Sequence, residues 1–324
     1  MKYAIRHLQL RDLLERTLLP LINGDYVLVD LPFHSNIGDI LIWQGELELL
    51  RKTKYRCLSY SSLLTYRSVP LGKDITILVH GGGNIGELYR EHINLLFRLV
   101  KEYPDNRIII FPQTICYRNM DLLRRDMELL RKHRDLHFCV RDKAGYELIR
   151  NELSHVYLLP DMSACIDLDF FKQWNPKIKG SLLLKRKDAE LSSIPRGLKT
   201  DFVEDWPTFN HNLFDGTFIA KVISNLCKMQ PHLFRNAWNW YAMNVYRKDL
   251  LRIGTKFIKS YEPIYTTRLH GLLLSHLCGK HQVTVIDNSY GKNLNYVRTW
   301  LYDVDEIRIM DEMNTEEVDS RNSV

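Results

Sequence analysis

No two cysteines in this 324-residue chain stand at CxxC spacing, and the six present (Cys57, Cys116, Cys139, Cys165, Cys227, Cys278) are scattered along it. Four lie inside apolar runs, so buried free thiols in a reducing compartment are expected rather than a disulfide framework. No apolar stretch is long enough to span a bilayer. Charges spread through Met1-Lys2-Tyr3-Ala4-Ile5-Arg6-His7 leave no apolar segment of the kind a cleaved signal peptide carries. Charge of one sign is also scarce: 45 Lys+Arg against 39 Asp+Glu gives only +6. That excess suits an anionic small substrate or an anionic membrane surface and is too weak to argue for nucleic acid. With no zinc finger, RNA-binding aromatic motif or concentrated basic arm, no nucleic-acid partner is expected. A cytoplasmic protein is expected, with peripheral contact at the inner membrane face as an option.

What is present is a core: 45% of the residues are hydrophobic, enough at this length for two domains. Apolar runs predict strands at Tyr26–Leu31, Ile75–His80, Arg107–Phe111 (closed by Pro112), Leu136–Val140 and Val156–Leu159. Helical patterns separate them, and such alternation predicts βαβ units with a mostly parallel sheet. A break over Phe170–Gly180 reads as a linker. Strands are predicted again at Ser181–Leu184, Ile264–Thr267 and Gln282–Ile286, with two helical stretches over about Asp215–Lys259 and a loop near Ile194–Asn212. The expected architecture is α/β, with two Rossmann-like domains, 1–170 and 171–324, facing a central cleft.

Several strand ends carry chemistry, and ligands of open α/β sheets bind at those ends. Thr267-Arg268-Leu269-His270-Gly271 places an arginine and a histidine where a helix opens, and Asn288-Ser289-Tyr290-Gly291-Lys292 adds a lysine after the next strand. A helix N-terminus favours an anion, Arg268 can supply a two-bond fork, and His270 can exchange a proton near neutral pH. The competing explanation is a helix start with a surface arginine and a packed histidine. Arg186, in Lys185-Arg186-Lys187-Asp188-Ala189-Glu190, ends another strand of the same half, although a solvated charge cluster also accounts for such a run.

The first half carries Asn36-Ile37-Gly38-Asp39 and His80-Gly81-Gly82-Gly83-Asn84. Asp39 reads as a helix cap or a site carboxylate, and Asn36 as a donor to a sugar hydroxyl or a backbone amide. The glycines allow close backbone approach, but neither GxGxxG nor a P-loop spacing is present, and a tight turn is the alternative. Gln113-Thr114, Arg141-Asp142 and Asp161 lie at comparable edges. Phe234, Trp238, Tyr241 and Val245 share a helical face followed by the basic row Arg252, Lys256 and Lys259. Core packing or membrane docking explains that stripe.

In this order, from Asn36-Ile37-Gly38-Asp39 to Asp287-Asn288-Ser289-Tyr290-Gly291-Lys292, the motifs resemble the polysaccharide pyruvyl transferase family across about Tyr26 to Trp300. The glycine loop continues as Asn-Ile-Gly rather than with the usual apolar residues, and Gln-Thr-Ile lacks a common glycine. The resemblance implies a GT-B-like fold and transfer of pyruvate from phosphoenolpyruvate to a sugar as a cyclic ketal, with phosphate released. Phosphoenolpyruvate would be a co-substrate, and no cofactor or metal is implied.

On that basis Arg186, Arg268, His270 and Lys292 are the expected donor-binding residues. His270 is the expected general acid with Arg268 beside it, and Asp39 the acceptor-side base. Asn36, Gly82, Gly83, Asn84 and Gln113 are the expected acceptor contacts, for a sugar that is free or lipid-linked. Two rivals stay open: a GT-B glycosyltransferase using a nucleotide-sugar, and a non-catalytic glycan-binding assembly subunit.

Overall fold

The computed structural model describes residues 1–310 except 189, 192, 193, 196 and 210–215. Part of the expected loop near 194–212 and the expected helix start at about 215 therefore lie outside the described residues.

Helix α1 (Tyr3–Leu18) leads into β1 (Tyr26–Val29), α2 (Ile37–Leu50), β2 (Cys57–Tyr60), β3 (Thr76–Val79), β4 (Gly82–Gly86), α3 (Arg90–Glu102), β5 (Ile108–Cys116), α4 (Met120–Arg131), β6 (Leu136–Val140), α5 (Lys143–Ile149) and β7 (His155–Leu158). These seven strands form one parallel sheet in the order β2-β1-β3-β5-β6-β7, with β4 paired to the far end of β5. Buried Val, Ile and Leu on β1, β3, β5 and β6 pack against Ile93, Leu96 and Leu99 of α3 and Leu123, Met127 and Leu130 of α4. Both faces of the central strands are buried, which explains why they read as continuous apolar runs rather than alternating ones.

The second sheet is built from β8 (Gly180–Leu184), β9 (Phe202–Glu204), β10 (Tyr261–Thr266), β11 (Val283–Val285) and β12 (Ile307–Ile309), all parallel, in the order β12-β11-β10-β8-β9. Helices α6 (Gly216–Met229), α7 (Pro231–Tyr241) and α8 (Arg247–Lys259) precede β10; α9 (Leu269–Leu277) follows β10, and α10 (Lys292–Tyr296) follows β11. One compact unit comprises Met1–His7, Asp167–Asn210 and Leu251–Val324, and the other Leu8–Ile166 with His211–Leu250.

With β4 set aside and the strands counted within each sheet, the first sheet has the doubly wound order 2-1-3-4-5-6 and the second 2-1-3-4-5. In such sheets the order in which the chain adds strands reverses between the first strand and its third-strand neighbour, and the carboxyl ends there open a crevice. Those points are β1/β3 in one unit and β8/β10 in the other.

Four sequence expectations need correction. Pro112 does not close the third strand: β5 continues to Cys116, and the proline sits where the register shifts between Ile110 and Gln113, which spares a missing ladder donor. The glycines after β3 form the short strand β4 instead of a turn; Gly82 (φ +135°) and Gly86 (φ +146°) take a backbone region that side chains disfavour. The expected loop near 194–212 contains the edge strand β9. The two expected helical stretches are three, with a π-turn at Ala242–Tyr246.

Trp238 is 1% exposed and packs against Phe33, Tyr241 and Tyr246, so this part of the aromatic stripe is core. The exposed apolar side chains on the same helices are others: Met229, Leu233 and Trp240. Among the described residues no helix is long and apolar enough to cross a membrane.

Candidate functional site

At the β8/β10 switch the chain after each strand turns into the crevice with an arginine. The N–H of Arg186 donates to Thr267 Oγ1 at 3.0 Å, and Asn293 Nδ2 donates to the carbonyls of Thr267 and Ile286, so the three strand ends are tied together. Thr266 Oγ1 accepts the Arg268 N–H at 3.0 Å, placing that residue at the N-cap of α9 and His270 in the helix's first turn. The helix therefore opens at Leu269, one residue before His270.

Arg186, Arg268 and His270 are buried side chains that the fold gathers in one unit. The arginines are not bare cations. Arg186 forks Asp188 through Nε and Nη2 at 2.6 and 3.0 Å and reaches Glu190 through Nη1 at 2.8 Å. Arg268 forks Asp205 at 2.6 and 2.7 Å and touches the shared Asp188 at 3.5 Å, with Phe209 under its guanidinium. Lys292 stands 3.7 Å from Glu190. The result is an alternating row, Lys292, Glu190, Arg186, Asp188, Arg268, Asp205, in which three cations meet three carboxylates.

Glu190 anchors the second motif. Its Oε2 accepts from Asn288 Nδ2 at 3.2 Å and from the Tyr290 hydroxyl at 2.7 Å, while its backbone carbonyl accepts the Ser289 N–H. Gly291, at φ +80°, lets the chain turn into α10. Burial pushes the Glu190 carboxyl up, but Lys292, Arg186 and the Tyr290 hydroxyl together pull it down to about 2. Burial likewise opposes ionisation of Asp188, and Arg186 overcomes it.

In the other unit Asn36, not Asp39, caps α2, accepting the Gly38 N–H at 3.1 Å. Asp39 lies in the first turn, where Asn36 Nδ2 donates to it at 2.8 Å and His34 Nε2 stands 3.6 Å away. His80, at the end of β3, bonds Glu46 at 2.9 Å, and Glu46 also accepts the Gly81 N–H. Burial pulls the His80 pKa down, and the buried Glu46 carboxylate more than reverses it. Gln113 bridges the neighbourhood, donating to the His80 carbonyl at 2.7 Å and accepting weakly from the Asn84 N–H at 3.4 Å. Gly82 and Gly83 lie in β4 between them, and a Cβ on Gly82 would stand 3.8 Å from Asp39 Oδ1.

Arg141 pairs with Asp161 at 2.6 Å rather than with its neighbour Asp142, which instead caps α5 and accepts from Thr114. All four of these side chains are buried.

A family model for polysaccharide pyruvyl transferase matches residues 36–290. This chain belongs to that family. It is 30% identical over 302 residues to the "Putative pyruvyl transferase EpsO" of Bacillus subtilis, covering 91% of each. It is 25% identical to "Pyruvyl transferase 1" of Schizosaccharomyces pombe over 291 residues, 85% of this chain and 69% of the relative. A functionally uncharacterized Klebsiella pneumoniae protein shares the fold, with a TM-score of 0.59 at 19% identity over 93% of this chain and 98% of that one. Membership in the pyruvyl transferase family makes the protein a transferase of polysaccharide biosynthesis.

Asp188 and Glu190 stand in the Arg186 motif with no role set by the sequence of this pyruvyl transferase family member, and Asp205 lies outside every motif. A carboxylate two and four residues beyond Arg186 was a usable signal. Asp205 carried none, because it meets Arg268 across 63 positions of sequence.

Proposed function

We propose that the protein transfers pyruvate from phosphoenolpyruvate to two hydroxyls of a sugar in a surface polysaccharide or its lipid-linked precursor. The observation that carries this is the pair Arg186 and Arg268, brought to adjacent strand ends around one carboxylate, with Lys292 and the α9 N-terminus beside them. A donor bearing a carboxylate and a phosphate calls for such a set of cations. In this reading Arg186, Arg268 and Lys292 hold the donor anion.

His270 gives a proton to the methylene carbon, which makes C2 electrophilic. One sugar hydroxyl then bonds C2 and loses its proton to Asp39. Phosphate leaves with the electron pair of its C–O bond, and attack by the second hydroxyl closes the ketal. One hydroxyl proton is thereby matched by the new methyl hydrogen and the other by the proton on the released phosphate. Asn36, Gly82, Gly83, Asn84 and Gln113 remain the proposed acceptor contacts, and a GT-B-like arrangement of the two halves belongs to the same proposal. So does work at the cytoplasmic membrane face on a lipid-linked acceptor.

The test is incubation with phosphoenolpyruvate and galactose-, mannose- or glucose-terminated acceptors, following phosphate release and product mass. A mass gain matching a pyruvate ketal supports the reading. Binding of a nucleoside diphosphate with indifference to phosphoenolpyruvate would instead favour glycosyl transfer.

A further inference from the structure

At the β1/β3 switch lies a second group of chemistry-bearing side chains that neither the donor site nor the motif residues absorb. Asp30 directly follows β1 and is the one non-glycine residue among those described with a positive φ, +66°. A residue in that region is held there at a conformational cost, and such residues cluster at sites of function. Its Oδ2 holds Nδ1 of His92, in the first turn of α3, at 2.7 Å. Its Oδ1 is buried with no hydrogen-bond partner among the described residues.

The pair borders a cavity of about 220 Å³ that is also lined by Phe33, His34, Asn84, Glu91 and Trp238. Trp238, 1% exposed, likewise carries a buried Nε1 with no partner among the described residues. A buried indole N–H and a buried carboxylate oxygen left unmatched are costly, and a ligand rich in hydroxyls would offer both an acceptor and a donor. An aromatic wall beside carboxylates, imidazoles and an amide is the lining that a sugar's apolar face and hydroxyl edge call for.

We propose that this cavity is the subsite for the acceptor sugar and that His92, held by Asp30, takes the proton from one of the two hydroxyls that enter the ketal. The inference rests on the pyruvyl-transfer reading above. Ketal closure draws a proton from each of two hydroxyls, so Asp39 alone leaves one step without an assigned base. As the second hydroxyl oxygen bonds C2, its proton passes to His92 Nε2 and from there to the released phosphate or to solvent. Asp30 is the positioning residue: by accepting from Nδ1–H it leaves Nε2 as the basic nitrogen. Burial lowers the proton affinity of His92, and the hydrogen bond and charge of Asp30, with the charges of Glu91 and Asp39, together raise it above the ordinary value, as a base needs. His34 connects this wall to Asp39.

The experiment compares the full-length protein with His92→Gln, Asp30→Asn and Trp238→Phe, each checked for an unchanged melting transition. Asn tolerates the positive φ, so Asp30→Asn is the conservative probe of orientation. Ligand-observed NMR with methyl galactoside, mannoside and glucoside, without donor, reads the subsite; turnover with phosphoenolpyruvate reads the chemistry.

Trp238→Phe should weaken sugar binding roughly fivefold, the worth of one hydrogen bond. His92→Gln and Asp30→Asn should keep sugar binding and the KM for phosphoenolpyruvate while kcat falls ~100-fold or more. Unchanged kcat in a folded His92→Gln protein overturns the base, and sugar binding untouched by Trp238→Phe overturns the subsite. If the parent protein turns over no acceptor, pyruvyl transfer fails on its own account. The NMR arm then still decides: binding that Trp238→Phe weakens keeps the sugar subsite, and no binding to the parent removes it.

Discussion

The guanidinium of Arg268 grips the carboxylate of Asp205 through two bonds, Nε to Oδ1 at 2.6 Å and Nη2 to Oδ2 at 2.7 Å, with both side chains buried. This fork fixes the plane of the Arg268 guanidinium. Arg268→Lys keeps the charge and loses the fork, so activity should drop roughly 10- to 100-fold, the worth of a charge-assisted hydrogen bond. Asp205→Asn leaves a buried cation short of its partner and should cost about 3 kcal/mol of stability. Urea denaturation and steady-state kinetics on both variants check this; wild-type values in each would remove the fork from the site.

His270→Ala should lower turnover by ~10²–10⁴ while leaving the melting temperature and phosphoenolpyruvate affinity near those of the parent. Calorimetry for the donor and phosphate release for turnover separate the two. Near-normal turnover in a folded variant would end the general-acid role.

Gly271 explains why the arginine–histidine motif closes with glycine. A Cβ there would stand 2.2 Å from Thr266 Oγ1 and 2.6 Å from Leu184 Cδ2, and Thr266 Oγ1 is the acceptor that positions the Arg268 backbone. Gly271→Ala should cost about 1–3 kcal/mol by overpacking. It should also raise the KM for phosphoenolpyruvate, which a loss of stability alone would not do. A variant with the parent's KM would show that Arg268 tolerates the shift.

The acid limb of the stability curve should report Glu190. Its folded pKa, about 2, lies below its ordinary 4.5, so the stabilisation is fully present above pH 4.5 and is lost as pH falls toward 2. The size is about 3 kcal/mol, since each pKa unit is worth about 1.4 kcal/mol. Urea midpoints between pH 6 and 2 should converge for the parent protein and Glu190→Gln as acid removes the charge. Parallel curves would mean the row of charges does not hold Glu190 ionised.

Membrane attachment, if it serves a lipid-linked acceptor, should depend on Leu233 and Trp240, which are 73% and 59% exposed on α7, and not on buried Trp238. Co-sedimentation with anionic vesicles should fall with added salt and in Trp240→Ser. Equal absence of binding to anionic and neutral vesicles would leave the protein off the membrane.

Continuous apolar runs, helical patterns between them and strand-end motifs are local, so the α/β class, the parallel strands and the grouping of Arg186, Arg268, His270 and Lys292 in one half could be read from the chain alone. Edge strands could not: β2 is half-exposed or more along its length, and β9 and β12 are three residues each, too short for a pattern. The identity of helix α2's cap also escaped the sequence, because Asn36 and Asp39 both suit a first turn and only backbone geometry chooses between them.

The pairing of charges lay further out of reach. Asp205 finds Arg268 across 63 positions and Asp30 finds His92 across 62, in each case because parallel strand order carries distant segments to the same sheet end. Sequence determined which residue types stand at each strand's carboxyl end, since side-chain pattern and turn chemistry act over a few residues. Only the tertiary structure decided that Arg186, Arg268 and Lys292 are matched by carboxylates and that a histidine on α3 faces an aspartate on β1's exit, because the doubly wound strand order sets those neighbours.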